Sequence, residues 1–571
     1  MNLRLPPDLA AALEAARAEW RRVDGTRRLF ARDATLWTGS GEDRWLGWLD
    51  APAAARERLA EWREIAADAR GFDHVLLLGM GGSSLAPEVQ RAAFGRIDGH
   101  PGLHVLDSIH PTQVAAFEAA TDPASCLCVV SSKSGSTLEP NLLLARQLER
   151  VAAAVGAEEA PRRFVAITDP GSSLEQLARE RGFRRVVHGE PTVGGRFSAL
   201  SPFGVVPAAM QGLPLESWIG RAEHALEACR AEAAEENPGA DLGLLLAAAA
   251  AAGRDKLMLV THPRIATLGV WLEQLVAEST GKRGRAVLPF EGEPLPASGR
   301  CGADRIFVAL SLAGELAEGD AERLEALAAA GHPVAVADLD DALELSGEMV
   351  RWQVATAVAG ARLGVDPFDQ PDVEAAKVAA RRLAAELERS GTLPVEPALC
   401  EEPLGALHAP PSQARVLLAG AGPRPSLAAL LRAHLLRPGA GDYFALLLFC
   451  AMGPETSAAA ARIRRAVGEA TGAATSVGFG PRYLHSTGQA HKGGPASGVY
   501  LVVTDEPEAD LAVPGQRLTL GQAIAVQALG DAEVLGERGR RVARLALRGP
   551  AERLLPALAV LVERELAAPD A

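Results

Sequence analysis

Four apolar residues, Val75–Leu78, run without a polar break into a glycine cluster, Gly79, Gly81 and Gly82, followed by Ser83 and Ser84. An unbroken apolar run bounded by glycines predicts a strand buried on both faces, as in a parallel sheet. The pattern recurs. Leu103–Leu106 runs to Asp107 and Ser108, Leu127–Val130 to the polar stretch Ser131–Thr137, and Phe164–Ile167 to Thr168–Ser173. Helix-compatible segments, among them Asn141–Val155 and Leu174–Arg181, lie between them. Strands alternating with helices predict a doubly wound parallel sheet. Such sheets bind ligands outside the carboxyl ends of their strands, and here three of four ends carry Ser, Thr and Gly.

Before this region, residues 1–70 are rich in Ala, Glu, Arg and Leu and predict a helical segment broken near Trp37–Gly41. Its aromatic residues, Trp20, Phe30, Trp37, Trp45 and Trp48, are expected to be packing groups. After it, a second α/β unit begins near 216. Leu215–Ala252 has a helical pattern, Lys256–Val260 a strand pattern, and Ile265–Thr280 places Leu268, Leu272 and Leu275 at helical spacing. Ile306–Leu312 and Val334–Ala337 predict strands and Glu348–Leu363 a helix. Glu401–Ala414, with three prolines, is expected as a linker. A third unit follows, with strands near Val416–Leu418, Tyr443–Phe449 and Val499–Thr504 and helices such as Ser457–Ala470. The expected division is therefore 1–70, 71–215, 216–398, a linker at 399–414, and an additional C-terminal α/β domain at 415–571. The fold class is α/β, with two doubly wound three-layer domains at its centre.

Composition narrows the functions open to this fold. A chain of 571 residues exceeds one ordinary core, and 48% hydrophobic with 23% charged residues describes a soluble globular protein. The net charge of −14 argues against a nucleic-acid surface while permitting a local basic pocket for an anionic metabolite. Lysine is scarce, so each lysine within a motif is informative. Cys126, Cys128, Cys229, Cys301, Cys400 and Cys450 form no C-x-x-C pair and are expected as reduced thiols of a cytoplasmic protein. The N-terminus lacks a signal-peptide apolar region, and the apolar run Leu244–Ala252 is much shorter than a membrane span. No membrane association is expected.

Six stretches carry candidate chemistry. The loop Gly79–Ser84 offers glycine N–H groups and a helix start to an anion. It is not G-x-G-x-x-G, since Ser84 stands at the third glycine, and Asp107 lies beyond the usual spacing for a ribose-binding acid. A nicotinamide enzyme is therefore a weak alternative. The loop Ser131–Thr137 packs hydroxyls, Lys133 and Gly135 directly after a strand, which suits a phosphate; it is not a nucleotide P-loop. Gly194-Gly195-Arg196 can bring a guanidinium to a ligand oxygen. In Trp271–Lys282, Gln274 and Glu278 lie four apart and share a helix face. Glu278 is near the helix C-terminus, where the dipole disfavours a carboxylate, a setting that suits a general base. Asp366–Lys377 has prolines at its start and is expected to place Lys377 two or three turns into a helix. Gly478–Gly494 holds His485, His491 and Lys492; the six-residue separation of the histidines does not fit a zinc helix.

Together these motifs resemble glucose-6-phosphate isomerase. Gly81-Gly-Ser83, Ser132-Lys-Ser-Gly-Ser-Thr137, Gly194-Gly-Arg196, Glu278-Ser-Thr-Gly-Lys282 and Pro367-Phe-Asp-Gln-Pro371 with Val373, Glu374 and Lys377 appear in the family's order, over roughly residues 70 to 380. The region after about 415, above all Gly478–Gln489, looks like the C-terminal part of transaldolase/phosphoglucose-isomerase fusions, without a transaldolase half. The resemblance implies reversible isomerisation of glucose 6-phosphate and fructose 6-phosphate, with no metal and no redox cofactor. It implies that Ser132, Lys133, Ser134 and Thr137 hold the phosphate, with Gly82 and Ser83 lining the site. Glu278 would be the base, Arg196 would stabilise the cis-enediolate, Gln274 would orient the substrate and Lys377 would assist ring opening. The family's ring-opening histidine, commonly supplied by a partner subunit, lacks its usual Gly-Gln-His context here. His332 is the only histidine between Glu278 and Lys377 and takes that role in this reading, with His485 and His491 as alternatives. A homodimer and a functional link to a separate transaldolase are the partner arrangements this leaves open. A non-catalytic phosphosugar-binding protein of the same fold is the competing function.

Overall fold

The computed structural model describes residues 1–567 apart from 297, 395, 423 and 424. Residues 1–107, 118–292 and 305–369 form one compact unit, and residues 108–117, 293–304 and 370 onward form a second.

The first unit is built on two sheets. The chain opens with β1 (Asn2–Arg4), and then β2 (His74–Gly79), β3 (Gly102–Leu106), β4 (Cys126–Ser131), β5 (Phe164–Thr168) and β6 (Arg185–His188) make a wholly parallel sheet in the order β3-β2-β4-β5-β6. Val75–Leu78 of β2 have no exposed surface. Each such side chain contributes roughly 1.5–3 kcal/mol by burial, which is why an all-apolar run belongs in this place. The chain leaves β2 toward β3 on one side and returns to β4 on the other. That reversal opens a crevice above the carboxyl ends of β2 and β4. The glycine loop and the serine loop follow those two strands.

The second sheet holds β7 (Lys256–Thr261), β8 (Leu288–Glu291), β9 (Arg305–Leu312) and β10 (Val334–Leu339) in the order β1-β10-β9-β7-β8, parallel except for β1. One continuous core, running from Val75 and Val129 to Leu257 and Val308, joins the two sheets of this unit. The apolar run Leu244–Ala252 forms the end of a helix, Pro238–Ala251, with Ala252 as its C-cap, and the helix packs against helix Leu345–Leu363. Their backbones approach closely: a Cβ on Gly243 would stand 2.3 Å from the carbonyl oxygen of Ala355. Among the described residues no helix is long and apolar enough to cross a membrane.

The second unit has a mixed sheet. It is formed by β11 (Cys400–Glu402), β12 (Gly405–His408), β13 (Tyr443–Phe449), β14 (Ala474–Phe479), β15 (Gly498–Thr504) and β16 (Arg541–Leu547), in the order β11-β12-β16-β15-β13-β14. Strands β13 to β16 run parallel, while β11 and β12 are antiparallel additions at one edge.

The α/β class and the central strands agree with the sequence pattern; several elements do not. The segment 399–414, expected as a linker, carries β11 and β12 and starts helix Pro411–Gly420. Val416–Leu418, expected as a strand, lies inside that helix, with Leu417 buried and Val416 and Leu418 exposed. The helical N-terminal segment starts with a strand, β1. The first unit ends at Asp369, so helix Val373–Ser390 belongs to the second unit and not to a domain reaching 398. Strands β1, β6 and β8 sit at or near sheet edges, where a short strand tolerates charge, and Pro289 is accommodated in edge strand β8. Their pattern is therefore weak in the sequence.

Candidate active site

The site begins where β2 and β4 end side by side, with Gly79 paired in register to Ser131. A Cβ at Gly79 would lie 3.0 Å from the Ser83 carbonyl oxygen and 3.2 Å from that of Ser131. Gly82 is tighter still. Its added Cβ would meet the carbonyl oxygen of Gly195 at 2.1 Å, so only glycine lets the two loops interlock. The Ser198 hydroxyl ties them, donating to the carbonyls of Gly82 (3.0 Å) and Gly195 (2.5 Å). The half-buried Ser83 hydroxyl is left without a hydrogen bond among the described residues.

The serine loop is prearranged by its own polar groups. Ser132 is buried, and its hydroxyl accepts from the Gly135 N–H at 3.2 Å. Gly135 takes a positive φ of 70°, and its carbonyl accepts from the Asn141 side chain at 3.0 Å. Ser134 and Ser136 are exposed with their hydroxyls 2.7 Å apart. Thr137 precedes the 18-residue helix Leu138–Val155, and its side chain does not cap that helix. Helix N–H groups without a side-chain cap follow directly on the hydroxyls of Ser134, Ser136 and Thr137, a composition that suits an anion. Lys133 differs from expectation. Its ammonium pairs with Asp169 and donates to the carbonyls of Glu190 and Pro191 at 3.2 Å. It therefore braces the loop, and its charge is already matched. Ser136, to which the motif assigns no role, stands between Ser134 and Thr137.

From Gly195 the chain leads straight into Arg196, which is 4% exposed. Its Nε donates to the Ser279 hydroxyl at 2.8 Å, and its Nη2 donates to the carbonyls of Pro367 and Asp369, each at 2.7 Å. Its Nη1 lies 3.7 Å from Glu278 Oε1. Phe197 anchors the turn, its ring 5.2 Å from both Trp48 and Phe368, while Trp37 meets Phe368 edge-on at 5.3 Å. Trp37 and Trp48 are packing groups, and what they pack is the turn that seats Arg196.

Glu278 is carried by helix Thr267–Thr280, buried along nearly its whole length. A helix buried all round must partner its polar side chains within the protein. Gln274 stands one turn before Glu278, and both are buried, at 3% and 8% exposure. The helix end is pinned to the start of β8: the Thr280 hydroxyl donates to the Val287 carbonyl at 3.1 Å and accepts from the Val287 N–H at 3.0 Å. Just beyond, Lys282 is 3% exposed, 2.7 Å from Asp369 Oδ1, and donates to the carbonyls of Asp366 and Asp369. Burial, and then the neighbouring Arg196 charge, lower its pKa to about 8. Arg196 and Lys282 share the Asp369 carbonyl, so two cations brace the 366–369 loop beside the carboxylate. Ser279, Lys282 and Asp369 stand within the sequence motifs, but nothing local to those motifs assigns them a role.

Gly82, Ser83, Ser132, Lys133, Ser134, Thr137, Arg196, Gln274 and Glu278 all lie in the first unit. Lys377 is in the second unit, exposed, as the fifth residue of helix Val373–Ser390 and thus little more than one turn in. His332 heads β10 at its amino end, with its ring edge-on to Phe307 at 6.0 Å. His491 is completely enclosed in the second unit. Its Nδ1 lies 2.9 Å from the Tyr443 hydroxyl, and burial lowers its pKa to about 3. His491 is thus a packed core group, whereas His485 is half-buried.

A buried arginine–glutamate pair of this kind can support proton transfer. The phosphoglucose isomerase family model matches residues 55–286, which include both loops, Arg196 and Glu278. The glucose-6-phosphate isomerase of Rubrobacter xylanophilus is 30% identical over 371 residues, covering 56% of this chain and 85% of the relative. The chain belongs to the glucose-6-phosphate isomerase family. The corresponding isomerase of Thermus thermophilus is 30% identical over 384 residues, covering 60% of this chain and 90% of the relative. A crystal structure of a hypothetical protein, also from Thermus thermophilus, superposes with a TM-score of 0.57 at 28% identity, over 67% of this chain and all of that protein. This glucose-6-phosphate isomerase family member is an enzyme, and its family catalyses an aldose–ketose isomerisation. Each relative is matched over most of its length by little more than half of this chain.

Proposed function

We propose that the chain interconverts glucose 6-phosphate and fructose 6-phosphate through a cis-enediolate, with Glu278 as the base. In the open-chain aldose, the Glu278 carboxylate takes the proton from C2, and the electron pair passes through C1 to O1. Arg196 offsets the negative charge that develops on the oxygens. A proton moves from O2 to O1 as the C2 carbonyl forms, and Glu278 returns its proton to C1. Gln274 orients the sugar. Ser83, Ser132, Ser134 and Thr137, with the N-terminus of helix Leu138–Val155, hold the phosphate remote from the reacting carbons, so that its binding energy positions them. Lys133 contributes by bracing that loop through Asp169. Lys377 assists ring opening, and a histidine, His332 or His485, shares that step.

The observation that carries this reading is the Arg196 guanidinium 3.7 Å from the buried Glu278 carboxylate. We place the reaction in the cytoplasm, where its phosphorylated substrates are held. A homodimer, and association with a separate transaldolase, are the partner arrangements proposed. A coupled assay for fructose 6-phosphate tests the function, with Glu278→Gln as the control. The variant is expected to lose isomerisation and to keep phosphate-dependent sugar binding. Tight sugar-phosphate binding with no turnover by the unaltered protein would favour the non-catalytic alternative.

A further inference from the structure

The helix that carries Lys377 is held by the second unit in an unusual way. Its buried stripe, Val373, Ala376, Ala379, Leu383 and Leu387, faces inward, while Lys377 and Val378 are exposed. It lies against helix Leu520–Glu537 at close range, where a Cβ on Gly530 would be 3.0 Å from the Ala380 nitrogen. Near the start of the helix the contact is made by small residues, Ala379 and Ala380 against Gly530, which offer little resistance to sliding along the axis. The ion pairs along this helix, such as Arg382 with Glu533, are exposed and hold weakly. The axial position of Lys377 at this end of the helix therefore depends on polar contacts as well as on Val373, Leu383 and Leu387.

Asp372 occupies the N-cap of this helix, where an aspartate normally accepts from its own first turn. Here its side chain makes no capping hydrogen bond. Its carboxylate accepts from Gln489 Nε2 at 2.6 Å and from Arg538, and its backbone N–H donates to Gln489 Oε1 at 2.9 Å. Gln489 is completely buried and reads Asp372 at both main chain and side chain. The short helix Gly488–Gly493 that bears it is locked in turn. Lys492 pairs with Asp531 at 2.5 Å, both side chains being at most 2% exposed, and the Tyr483 hydroxyl donates to the other Asp531 oxygen at 2.6 Å. Arg540 donates to the carbonyls of Lys492 (2.6 Å) and Gly494 (2.8 Å).

We propose that Gln489 is a positioning residue that acts through Asp372 to fix the helix register, and with it the place of Lys377. The glycine- and histidine-rich motif Gly478–Gly494 then serves the isomerisation as a mount for the ring-opening lysine. Lys377 follows Asp372 by five residues, or about 7.5 Å along the axis, so a slip at the clamp displaces the ammonium directly. This inference rests on the role given to Lys377 above.

A double-mutant cycle on the full chain tests it. Gln489→Ala is expected to lower kcat about 10-fold, the scale of a small misplacement of a reacting group. KM for glucose 6-phosphate should stay within about twofold, because the phosphate loops are untouched. Asp372→Ala, at a half-buried position that tolerates truncation, should reproduce the effect if Gln489→Ala fails to fold. In a Lys377→Ala background, Gln489→Ala or Asp372→Ala should cost nothing further. Multiplicative losses in the double variants, or unaltered kcat in both single variants, would overturn the clamp. Unaltered kcat in Lys377→Ala overturns it together with the lysine's role, and leaves the Glu278 assignment standing. Absence of turnover in the unaltered protein is the separate failure of the isomerase reading.

Discussion

Arg196 donates its Nε–H to the hydroxyl of Ser279, at 2.8 Å, one residue beyond Glu278. The guanidinium is thereby indexed to the backbone of the base helix and not merely to the carboxylate. Ser279→Ala leaves a buried donor unsatisfied, which costs about 1–3 kcal/mol of folding stability. It also frees Arg196 to turn away from the reacting oxygens. The expected outcome is a fall in kcat with KM little changed, read by steady-state kinetics, together with a lower urea midpoint. Unchanged kcat would show that Arg196 is oriented by the 367 and 369 carbonyls alone.

Gly82→Ala places a methyl 2.1 Å from the Gly195 carbonyl oxygen, an immovable backbone atom. The glycine and arginine loops must then part. Overpacking of this kind costs typically about 1–3 kcal/mol or more, and the loss should be larger in activity than in stability, because Arg196 follows Gly195 directly. Comparing thermal midpoint with kcat in Gly82→Ala and in the unconstrained control Gly194→Ala, which meets nothing within 4 Å, checks this.

Lys282 is expected to impose an alkaline limit on activity. With a folded pKa of about 8, against 10.5 for the free side chain, it loses its proton above pH 8 and with it the cation that pairs Asp369. Stability moves the other way. Between about pH 8 and 10.5 the unfolded chain binds more protons at this group than the folded chain, so this residue's contribution rises with pH. Activity that falls through pH 8 while the melting temperature holds is therefore the expected signature. Lys282→Arg should move the kinetic limit upward, since guanidinium does not titrate in this range; an unmoved limit would assign it to another group.

His491 and His434 predict acid sensitivity of the second unit. Burial lowers their folded values to about 3 and about 4, from 6.5. Below 6.5 the unfolded chain takes up protons that the folded chain refuses, so stability falls as pH drops from 6.5 toward 3. Tyr443 fluorescence or circular dichroism across this window should show the loss. His491→Phe should reduce the slope to the part that His434 contributes, while removing the hydrogen bond to Tyr443. A slope identical to that of the unaltered protein would rule His491 out as its source.

The candidate site was partly legible in the chain itself. Gln274 and Glu278 share a face because about 3.6 residues make a helical turn, and the serine loop betrays itself by composition after an apolar run. What held Arg196 was not legible. Its partners Ser279 and Pro367 are 83 and 171 residues away, and nothing local to Gly194–Arg196 specifies them. Lys133 is a second case: its place in a hydroxyl-rich loop points to phosphate, and only the fold shows that Asp169, at the end of the neighbouring strand, pairs with its ammonium. The segment 399–414 has the pattern of a linker because of its prolines and polar residues, while short edge strands ask little of sequence beyond a partner such as β16.

Periodicity and punctuation, which act over a few residues, determined the α/β class, the central strands Val75–Leu78 and Tyr443–Phe449, and the loops that follow strand ends. Burial is paired with backbone geometry in those runs, so the residue order alone is sufficient. Tertiary structure decided which loops interlock, as Gly82 does with Gly195, which cations are already matched, as Lys133 and Lys282 are, and to which unit Lys377 belongs. Those outcomes depend on contacts between segments far apart in the chain, and their energies arise only after the sheets have brought the segments together.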